Sequence, residues 1–328
     1  MKSLMMLVLL SAALVLAVPA MSQVPDTLRA YGVLNLSVAN MRAEPDFSSE
    51  MISQGLLGMP VRVLQSKTWQ YIRTPDRYEG WVHPVAVRLM TREELEAWNR
   101  AEKIVVTAHY GFVRSLPRAD ALPVSDVVAG DRLRYEGRMG HYYLVSYPDG
   151  RRGYIDRSLA QPEREWRRSL RWNADAVLHT APTLTGVPYL WAGTSSKGVD
   201  CSGFVRTVLF MHDIIIPRDA SQQARVGRRI DIAPDFSNLE PGDLVFFGRK
   251  ATAEEKERVT HVAFYLGGKR FIHSQGDVHV SSFDPADPLF DEFNLNRLLF
   301  ATRILPYICR KPLLETTETN ELYIGGSD

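Results

Sequence analysis

Residues 189–205 read YLWAGTSSKGVDCSGFV, and this segment decides how the chain is interpreted. Cys201 follows a loop of small residues and precedes an apolar face with helical spacing, so we predict a helix over residues 202–212. The first turn of a helix has free backbone N–H groups and the positive end of the dipole, which stabilise a thiolate. The same N–H groups can stabilise a tetrahedral oxyanion. Cys201 is therefore predicted to be a nucleophile.

A nucleophilic thiol needs a base and a group that orients the base, and two histidines further along the chain fit these roles. His261 begins one strand-like segment and His273 lies in a second, with Gly267 and Gly268 between them. A hairpin of this kind places the two imidazoles close together. We predict that His261 is the base and that His273 orients it. This arrangement corresponds to a catalytic triad whose third member is a histidine.

Three ordinary alternatives remain for these residues. Either histidine alone could be a half-buried strand residue. Cys201 could form a disulfide with Cys309, which is the second of only two cysteines in the chain. A zinc site would require close pairs of ligands, and Cys201 has no cysteine or histidine within a few residues. We therefore predict no metal and no cofactor.

Residues 241–247 read PGDLVFF, a turn followed by a continuous apolar run, which predicts a buried strand behind the histidine hairpin. Asp243 in this turn could be catalytic, but a structural acid is the ordinary interpretation. Residues 248–259 are rich in Lys, Glu and Arg, which indicates an inserted polar helix or loop before His261 that changes access to the site.

The N-terminus and the composition indicate where the chain acts. Residues 1–20 combine Lys2, an apolar run and a small-residue end, which predicts a cleaved signal peptide; an uncleaved anchor is the alternative. We expect export to a periplasm, a cell wall or the medium, without stable membrane insertion after cleavage. The formal net charge of +1 offers no general attraction for nucleic acid.

The first half of the chain contains a weak repeat. The segments 57–63, 69–73 and 80–84 resemble 129–135, 141–145 and 153–157 in order and composition, which predicts two small β-barrels. The chain of 328 residues then divides into a signal peptide, a first barrel, a linker helix opened by a capping box at Thr91, a second barrel, a catalytic domain with a helix over residues 161–181, and a loose polar tail. The predicted bounds are 1–20, 25–90, 91–101, 102–160, 161–310 and 311–328.

The catalytic region resembles the NlpC-type cell-wall cysteine peptidases, which are papain-like in arrangement. The resemblance covers about residues 165–310 and rests on DCSGF at 200–204, GDLVFF at 242–247, THV at 260–262 and His273 at the third catalytic position. It implies an α+β fold with a papain-like NlpC-type catalytic domain preceded by two SH3-like β-barrels. It also implies that Cys201 attacks an amide carbonyl, that His261 transfers the proton, and that the cleaved bond joins γ-D-glutamate to a diamino acid.

The whole chain is similar to a narrower group with two bacterial SH3-like domains before the peptidase domain. In that group the first barrel supplies an acid and a tyrosine that hold the free amine of an N-terminal L-Ala. The segments SEMISQ at 49–54 and RYEGW at 77–81 match these positions, which assigns Glu50 and Tyr78 to the amine, with Glu44 and Glu79 as competitors. The resemblance also implies a substrate pocket formed by Tyr189, Trp191, Asp200, Ser202 and Asp219. The ordinary interpretations are core packing for the two aromatic residues, a helix cap for Asp200 and a loop acid for Asp219.

The predicted function is thus release of L-Ala-γ-D-Glu from peptidoglycan-derived peptides by a monomeric enzyme, in turnover or recycling of the wall. A buried amine pocket would penalise an alanine that is still amide-linked to glycan. Three alternatives remain: an endopeptidase acting on intact wall with the barrels as anchors, a wall-binding scaffold without activity, and an acyltransferase or amidase on the same fold. The choice between diaminopimelate and lysine stays open.

Overall fold

The computed structural model describes residues 30–325. The predicted signal peptide lies outside these residues. No helix in the described part of the chain is long and apolar enough to cross a membrane. The described chain forms two seven-stranded antiparallel sheets, followed by a region in which a six-stranded sheet packs against helices.

The first sheet has the strand order β3-β2-β6-β5-β4-β1-β7. Its core includes Val61, Ile72 and Val82, which alternate with more exposed residues along their strands, as in a sheet with one buried face. Its strands are β1 Tyr31–Leu34, β2 Val38–Arg42, β3 Met51–Leu56, β4 Pro60–Ser66, β5 Gln70–Arg73, β6 Glu79–Val82 and β7 Val87–Met90, with a 3-10 turn at Pro84–Ala86.

The second sheet repeats this topology. Its order, β10-β9-β13-β12-β11-β8-β14, becomes that of the first sheet when seven is subtracted from each strand number. Helix α1, Arg92–Arg100, joins the two sheets, and the predicted capping box between Thr91 and Glu94 is present. The strands are β8 Lys103–Val106, β9 Tyr110–Arg114, β10 Pro123–Val128, β11 Arg132–Met139, β12 Tyr142–Ser146, β13 Arg152–Asp156 and β14 Ala160–Pro162.

The third region surrounds one helix, α4, whose side chains are buried along its whole length. Phe204 in α4 meets Phe264 edge to face at 5.9 Å between ring centroids, and removal of such a buried ring costs about 3–5 kcal/mol. The sheet order is β17-β22-β18-β19-β20-β21. The elements are α2 Glu163–Ser169, α3 Ala174–Thr180, β15 Thr194–Ser195, β16 Gly198–Val199, α4 Cys201–Phe210, α5 Ala220–Gln223, β17 Arg228–Ile230, β18 Leu244–Arg249, β19 Arg258–Gly267, β20 Arg270–Gln275, β21 Asp277–Ser282, α6 Glu292–Asn296, β22 Leu298–Arg303 and α7 Glu321–Ile324, with 3-10 turns at Ala181–Leu184 and Leu305–Tyr307.

One local prediction is corrected and one is narrowed to a single alternative. The single helix predicted over residues 161–181 is two helices, because Asn173 caps a new start: its side chain accepts a hydrogen bond from the amide of Ala176 at 2.9 Å. For the polar stretch at 248–259, predicted as a helix or a loop, the loop is found: it joins the end of β18 to the start of β19.

The prediction of a loose C-terminal tail is also wrong for the residues described. Residue 315 pairs with residue 215 as an antiparallel bridge, and Leu314 and Asn320 are almost fully buried. Polar composition suggested a solvated segment, but the polar groups of this tail find hydrogen-bond partners in the body of the protein.

Candidate active site

The N-terminus of α4 carries Cys201, and the residue before it caps the helix. Asp200 accepts hydrogen bonds from the amide of Gly203 at 2.7 Å and from the amide of Ala192 at 3.0 Å. A side chain at position 203 would place its Cβ 1.9 Å from the carbonyl oxygen of Gly193, so only glycine permits this approach. Gly193 and Gly203 therefore allow the loop before α4 to lie directly against the start of the helix.

Asp200 is also one half of a buried ion pair that the sequence did not predict. Arg218 donates to its two carboxylate oxygens at 2.6 and 3.2 Å, and to the hydroxyl of Ser202 at 2.9 Å. Arg218 is only 1% exposed. A buried charge pair persists when further hydrogen bonds satisfy it, and the helix cap supplies these bonds to Asp200. No local signal in the sequence identifies Arg218, because its partner lies 18 residues away.

The two predicted histidines meet across adjacent strands. The Nε2 atom of His261 in β19 lies 2.8 Å from Nδ1 of His273 in β20. The chain of contacts continues to β21, where the hydroxyl of Ser281 lies 3.1 Å from Nε2 of His273. Ser281 was not predicted. The strand register pairs it with residue 271, so it reaches His273 diagonally, and only the register reveals this.

Burial makes the neutral forms of these groups the stable ones. It raises the pKa of Cys201 to about 11, assisted by the charge of Asp200 and opposed by the amides of residues 202 and 262. Burial also lowers the pKa of His261 well below its usual value, and that of His273 to about 3. Burial therefore opposes charge on Cys201 and on both histidines in the free protein.

Cys201 opens into a cleft of about 380 Å³ between the first sheet and the helical region. Its lining includes residues from both sides of this boundary. All seven residues predicted to bind substrate line this cleft: Glu50, Tyr78, Tyr189, Trp191, Asp200, Ser202 and Asp219. Their roles in binding stay predictions.

The first sheet contributes two of these residues, which directly precede the two strands on either side of β2. Glu50 precedes β3 and accepts a hydrogen bond from Nε1 of Trp191 at 2.9 Å. Tyr78 precedes β6, and its hydroxyl interacts with the carboxylate of Asp219 and lowers its pKa. The predicted competitor Glu79 pairs instead with Arg73 at 2.6 Å.

The surroundings of Tyr78 and Asp219 raise the pKa of both side chains. Burial raises the pKa of Tyr78 to about 12, and the charge of Asp219 adds to this effect. Burial likewise raises the pKa of Asp219, against the opposing charge of Arg218 and the hydrogen bond from Tyr78. Tyr189 and Trp191 are 37% and 61% exposed, so core packing does not explain them. The arrangement combines a nucleophile and a partly desolvated acidic end in one cleft, and the buried His261 directly follows Thr260 of its lining.

Other residues considered from the sequence have structural explanations. Asp243 pairs with Arg303 at 2.8 Å, which is the structural interpretation of this acid. Cys201 and Cys309 are both free thiols, so the alternative of a disulfide between them is wrong. Among residues 30–325, no cluster of three His, Cys, Asp or Glu side chains could hold a metal ion.

A buried cysteine at a helix start, opposite linked histidines on an antiparallel sheet, defines a cysteine hydrolase with papain-like organisation. Comparison with known proteins agrees with this class. The NlpC/P60 family profile matches residues 186–294, and the profile of the bacterial SH3 domain matches residues 37–87.

The chain is similar to a γ-D-glutamyl-L-lysine dipeptidyl-peptidase of Bacillus cereus (strain ATCC 10987 / NRS 248), with 30% identity over 69% of this chain and 68% of that protein. It is also similar to a dipeptidyl-peptidase 6 of Lysinibacillus sphaericus, with 28% identity over 77% of this chain and 92% of that protein. The crystal structure of an NlpC/P60 family protein from Bacillus cereus ATCC 10987 shares the fold, with a TM-score of 0.70 and 24% identity over 84% of this chain and all of that one.

This chain belongs to the NlpC/P60 family. The predicted fold class, an NlpC-type catalytic domain after an SH3-like β-rich region, is confirmed, as is the predicted enzyme class of cysteine peptidase. The SH3 profile covers the first sheet only, so a second SH3-like domain and the exact domain bounds stay predictions.

Proposed function

We propose that this enzyme hydrolyses the bond between γ-D-glutamate and a diamino acid in peptidoglycan stem peptides, and that it requires a free N-terminal L-Ala. The observation that carries the proposal is the position of Glu50 and Tyr78, which extend from the first sheet into the cleft of Cys201. The similarity to the γ-D-glutamyl-L-lysine dipeptidyl-peptidase of Bacillus cereus supports it.

In the proposed reaction Cys201 attacks the γ-carbonyl of D-glutamate. His261 accepts the thiol proton as the attack proceeds and returns it to the leaving amine when the C–N bond breaks. Water then attacks the thioester at Cys201, with His261 again as base, which releases L-Ala-γ-D-Glu and restores the thiol. His273 and Ser281 form a chain of contacts that fixes the tilt and tautomer of His261. The amides of residues 202 and 262 that point at the sulfur provide the local positive potential.

The acidic end of the cleft explains why a free amine is required. Glu50 and Asp219 offer carboxylates and Tyr78 a hydroxyl within one partly desolvated pocket. A charged ammonium group forms strong hydrogen bonds with such acceptors. An acylated alanine leaves the acids without a cationic partner, at a cost of about 1–3 kcal/mol or more. The substrate is therefore a released or trimmed peptide rather than intact wall.

The remaining parts of the proposal concern the setting of the enzyme. Action outside the cytoplasm agrees with a family of cell-wall hydrolases, and we propose export directed by residues 1–20. We also propose that the second sheet is a second SH3-like domain, because its strand order repeats that of the first. That the enzyme acts as a monomer stays a prediction.

The test compares L-Ala-γ-D-Glu-diaminopimelate with the same peptide acetylated at its N-terminus, using mass spectrometry to detect L-Ala-γ-D-Glu. The proposal expects the free peptide to be cleaved much faster than the acetylated one, and no cleavage of either by Cys201→Ala. Equal cleavage of both peptides would favour an endopeptidase acting on intact wall. A parallel series with lysine in place of diaminopimelate determines the preferred diamino acid. No cleavage of any peptide would favour a scaffold or a different acyl transfer.

A further inference from the structure

We propose that the C-terminal strap, defined here as residues 314–324, positions the amine subsite, and that Glu315 sets the placement of Tyr78 relative to Asp219. The inference rests on the proposed function, because the amine subsite belongs to it. Glu315 does not line the cleft, so it acts through its neighbours as a positioning residue.

Tyr78 is presented by a tight turn that needs external support. The amide of Arg77 donates to the carbonyl of Thr74 at 2.8 Å, and the amide of Thr74 donates to the carbonyl of Tyr78 at 2.9 Å. Arg77 has a φ of 65°, a conformation that costs a residue other than glycine about 1 kcal/mol or more. A turn that holds such a conformation depends on contacts that keep it in place.

The strap supplies such contacts from outside the first sheet. The guanidinium of Arg77 pairs with Glu315 at 3.0 Å. The side chain of Asn320, which is 1% exposed, donates to the carbonyl of Pro75 at 2.9 Å and to the second carboxylate oxygen of Glu315 at 2.5 Å. Both ends of the turn that precedes Tyr78 are thus fixed to the strap.

The same residue of the strap also holds the segment that leads to Asp219. The amide of Ile215 donates to the carbonyl of Glu315 at 2.8 Å, and the reverse bond measures 3.2 Å. Ile215 lies four residues before Asp219, and the intervening Ile216 and Arg218 are fully or almost fully buried. Glu315 therefore connects the two elements that bring Tyr78 and Asp219 into the same cleft, with its backbone on one side and its carboxylate on the other.

The strap has its own anchors, so it is in place before substrate arrives. The hydroxyl of Thr317 donates to Asp213 at 2.8 Å and accepts from Arg167 at 2.8 Å. The carbonyl of the buried Leu322 accepts from the side chain of Asn99 at 2.8 Å. These anchors lie away from Glu315, which allows its carboxylate to be changed without releasing the strap.

The test uses Glu315→Gln and Glu315→Ala, with Glu318→Gln as the matched control. Glu318 is an acid of the same strap that pairs with Arg167 rather than with the turn. For the free-amine peptide we expect the Glu315 variants to raise KM about fivefold or more, with kcat within about twofold of the wild type. The control and the acetylated peptide should show no change in kinetics. The variant Glu315→Ala combined with Tyr78→Phe should be no worse than Tyr78→Phe alone, because both act through one contact.

Equal losses on the free and acetylated peptides would overturn the inference and show that Glu315 only supports folding. Unchanged KM in both variants would also overturn it. If Glu315→Ala does not fold, Arg77→Gly removes the same ion pair, relieves the positive φ and should produce the same rise in KM. The preference of the wild type for the free amine is measured first. If the wild type shows no preference for the free amine, the proposed function is wrong. If the wild type shows the preference but the Glu315 variants have the wild-type KM, only the proposed role of the strap is wrong.

Discussion

The two seven-stranded sheets have the same strand order but differ in what they give to the cleft. In the first sheet the residues directly before the third and sixth strands are Glu50 and Tyr78, and both line the cleft. In the second sheet the residues at the same points are Leu122 and Arg151. Leu122 is 78% exposed, and Arg151 pairs with Asp149 at 2.7 Å. Strand order alone therefore does not determine whether a sheet contributes to the cleft. The residues at two loop positions determine this.

The interfaces of the two sheets with the catalytic region differ as well. The first sheet meets α4 close to the site: Asp76 pairs with Arg206 at 3.1 Å, and the carbonyl of Gln54 accepts from the hydroxyl of Thr194 at 3.0 Å. The second sheet meets the far end of α4 through Arg132, which contacts Asp213 at 3.4 Å. The first sheet thus builds the site, and the second supports the framework that holds it.

The largest expected effect separates stability from activity. Arg132→Ala removes the more deeply buried of the two guanidinium groups that pair with both Glu163 and Asp213; because Arg167 remains, we expect a loss of about 3 kcal/mol in the free energy of unfolding, the low end for a broken buried pair. Because Arg132 lies outside the cleft, KM for the free-amine peptide should stay within about twofold of the wild type at a temperature where the variant is folded. Chemical denaturation and steady-state kinetics on the same preparation provide both quantities. A large rise in KM would break the distinction between the two sheets.

The next effect concerns the acid of the first sheet. Glu50→Gln keeps the shape of the side chain and an acceptor for Trp191 but removes the charge that faces the amine. We expect kcat/KM for the free-amine peptide to fall roughly 10- to 100-fold, since a hydrogen bond to a charged group contributes about 1.5–3 kcal/mol. The acetylated peptide should be unaffected. Leu122→Ala, at the matching point of the second sheet, should leave both rates unchanged, and an equal effect of the two substitutions would contradict the comparison.

The sequence predicted the parts of the site that local signals determine. Cys201 and its cap Asp200 follow from a helix start, and His261 and His273 from a hairpin with a glycine turn. Arg218 and Ser281 could not be found this way, because one is an ion-pair partner from a distant loop and the other depends on strand register. The sequence repeat in the first half of the chain predicted two similar β-rich units, and the structure has two sheets with the same strand order there. The tail was misjudged because its polar side chains are satisfied by groups far away in sequence.

The smallest effect is a shift in pH dependence that would sharpen the role of the first sheet. In the wild type the hydroxyl of Tyr78 favours the charged form of Asp219. Tyr78→Phe removes this hydroxyl. The pKa of Asp219 is already raised by burial and should rise further in the variant, so a higher pH is needed to keep the carboxylate charged. At neutral pH we expect kcat/KM for the free-amine peptide to fall about fivefold, the value of one hydrogen bond.

The acid limb of the pH profile should accordingly move to higher pH in Tyr78→Phe, while Arg151→Gln in the second sheet leaves the profile unchanged. Profiles of kcat/KM from about pH 4 to pH 8 for the wild type and both variants measure this, since such profiles report groups of the free enzyme. A uniform fall at every pH would show that Tyr78 contacts the substrate without tuning Asp219. A shift in the Arg151 variant would show that the second sheet also influences the acidic end of the cleft, which its place in the fold does not predict.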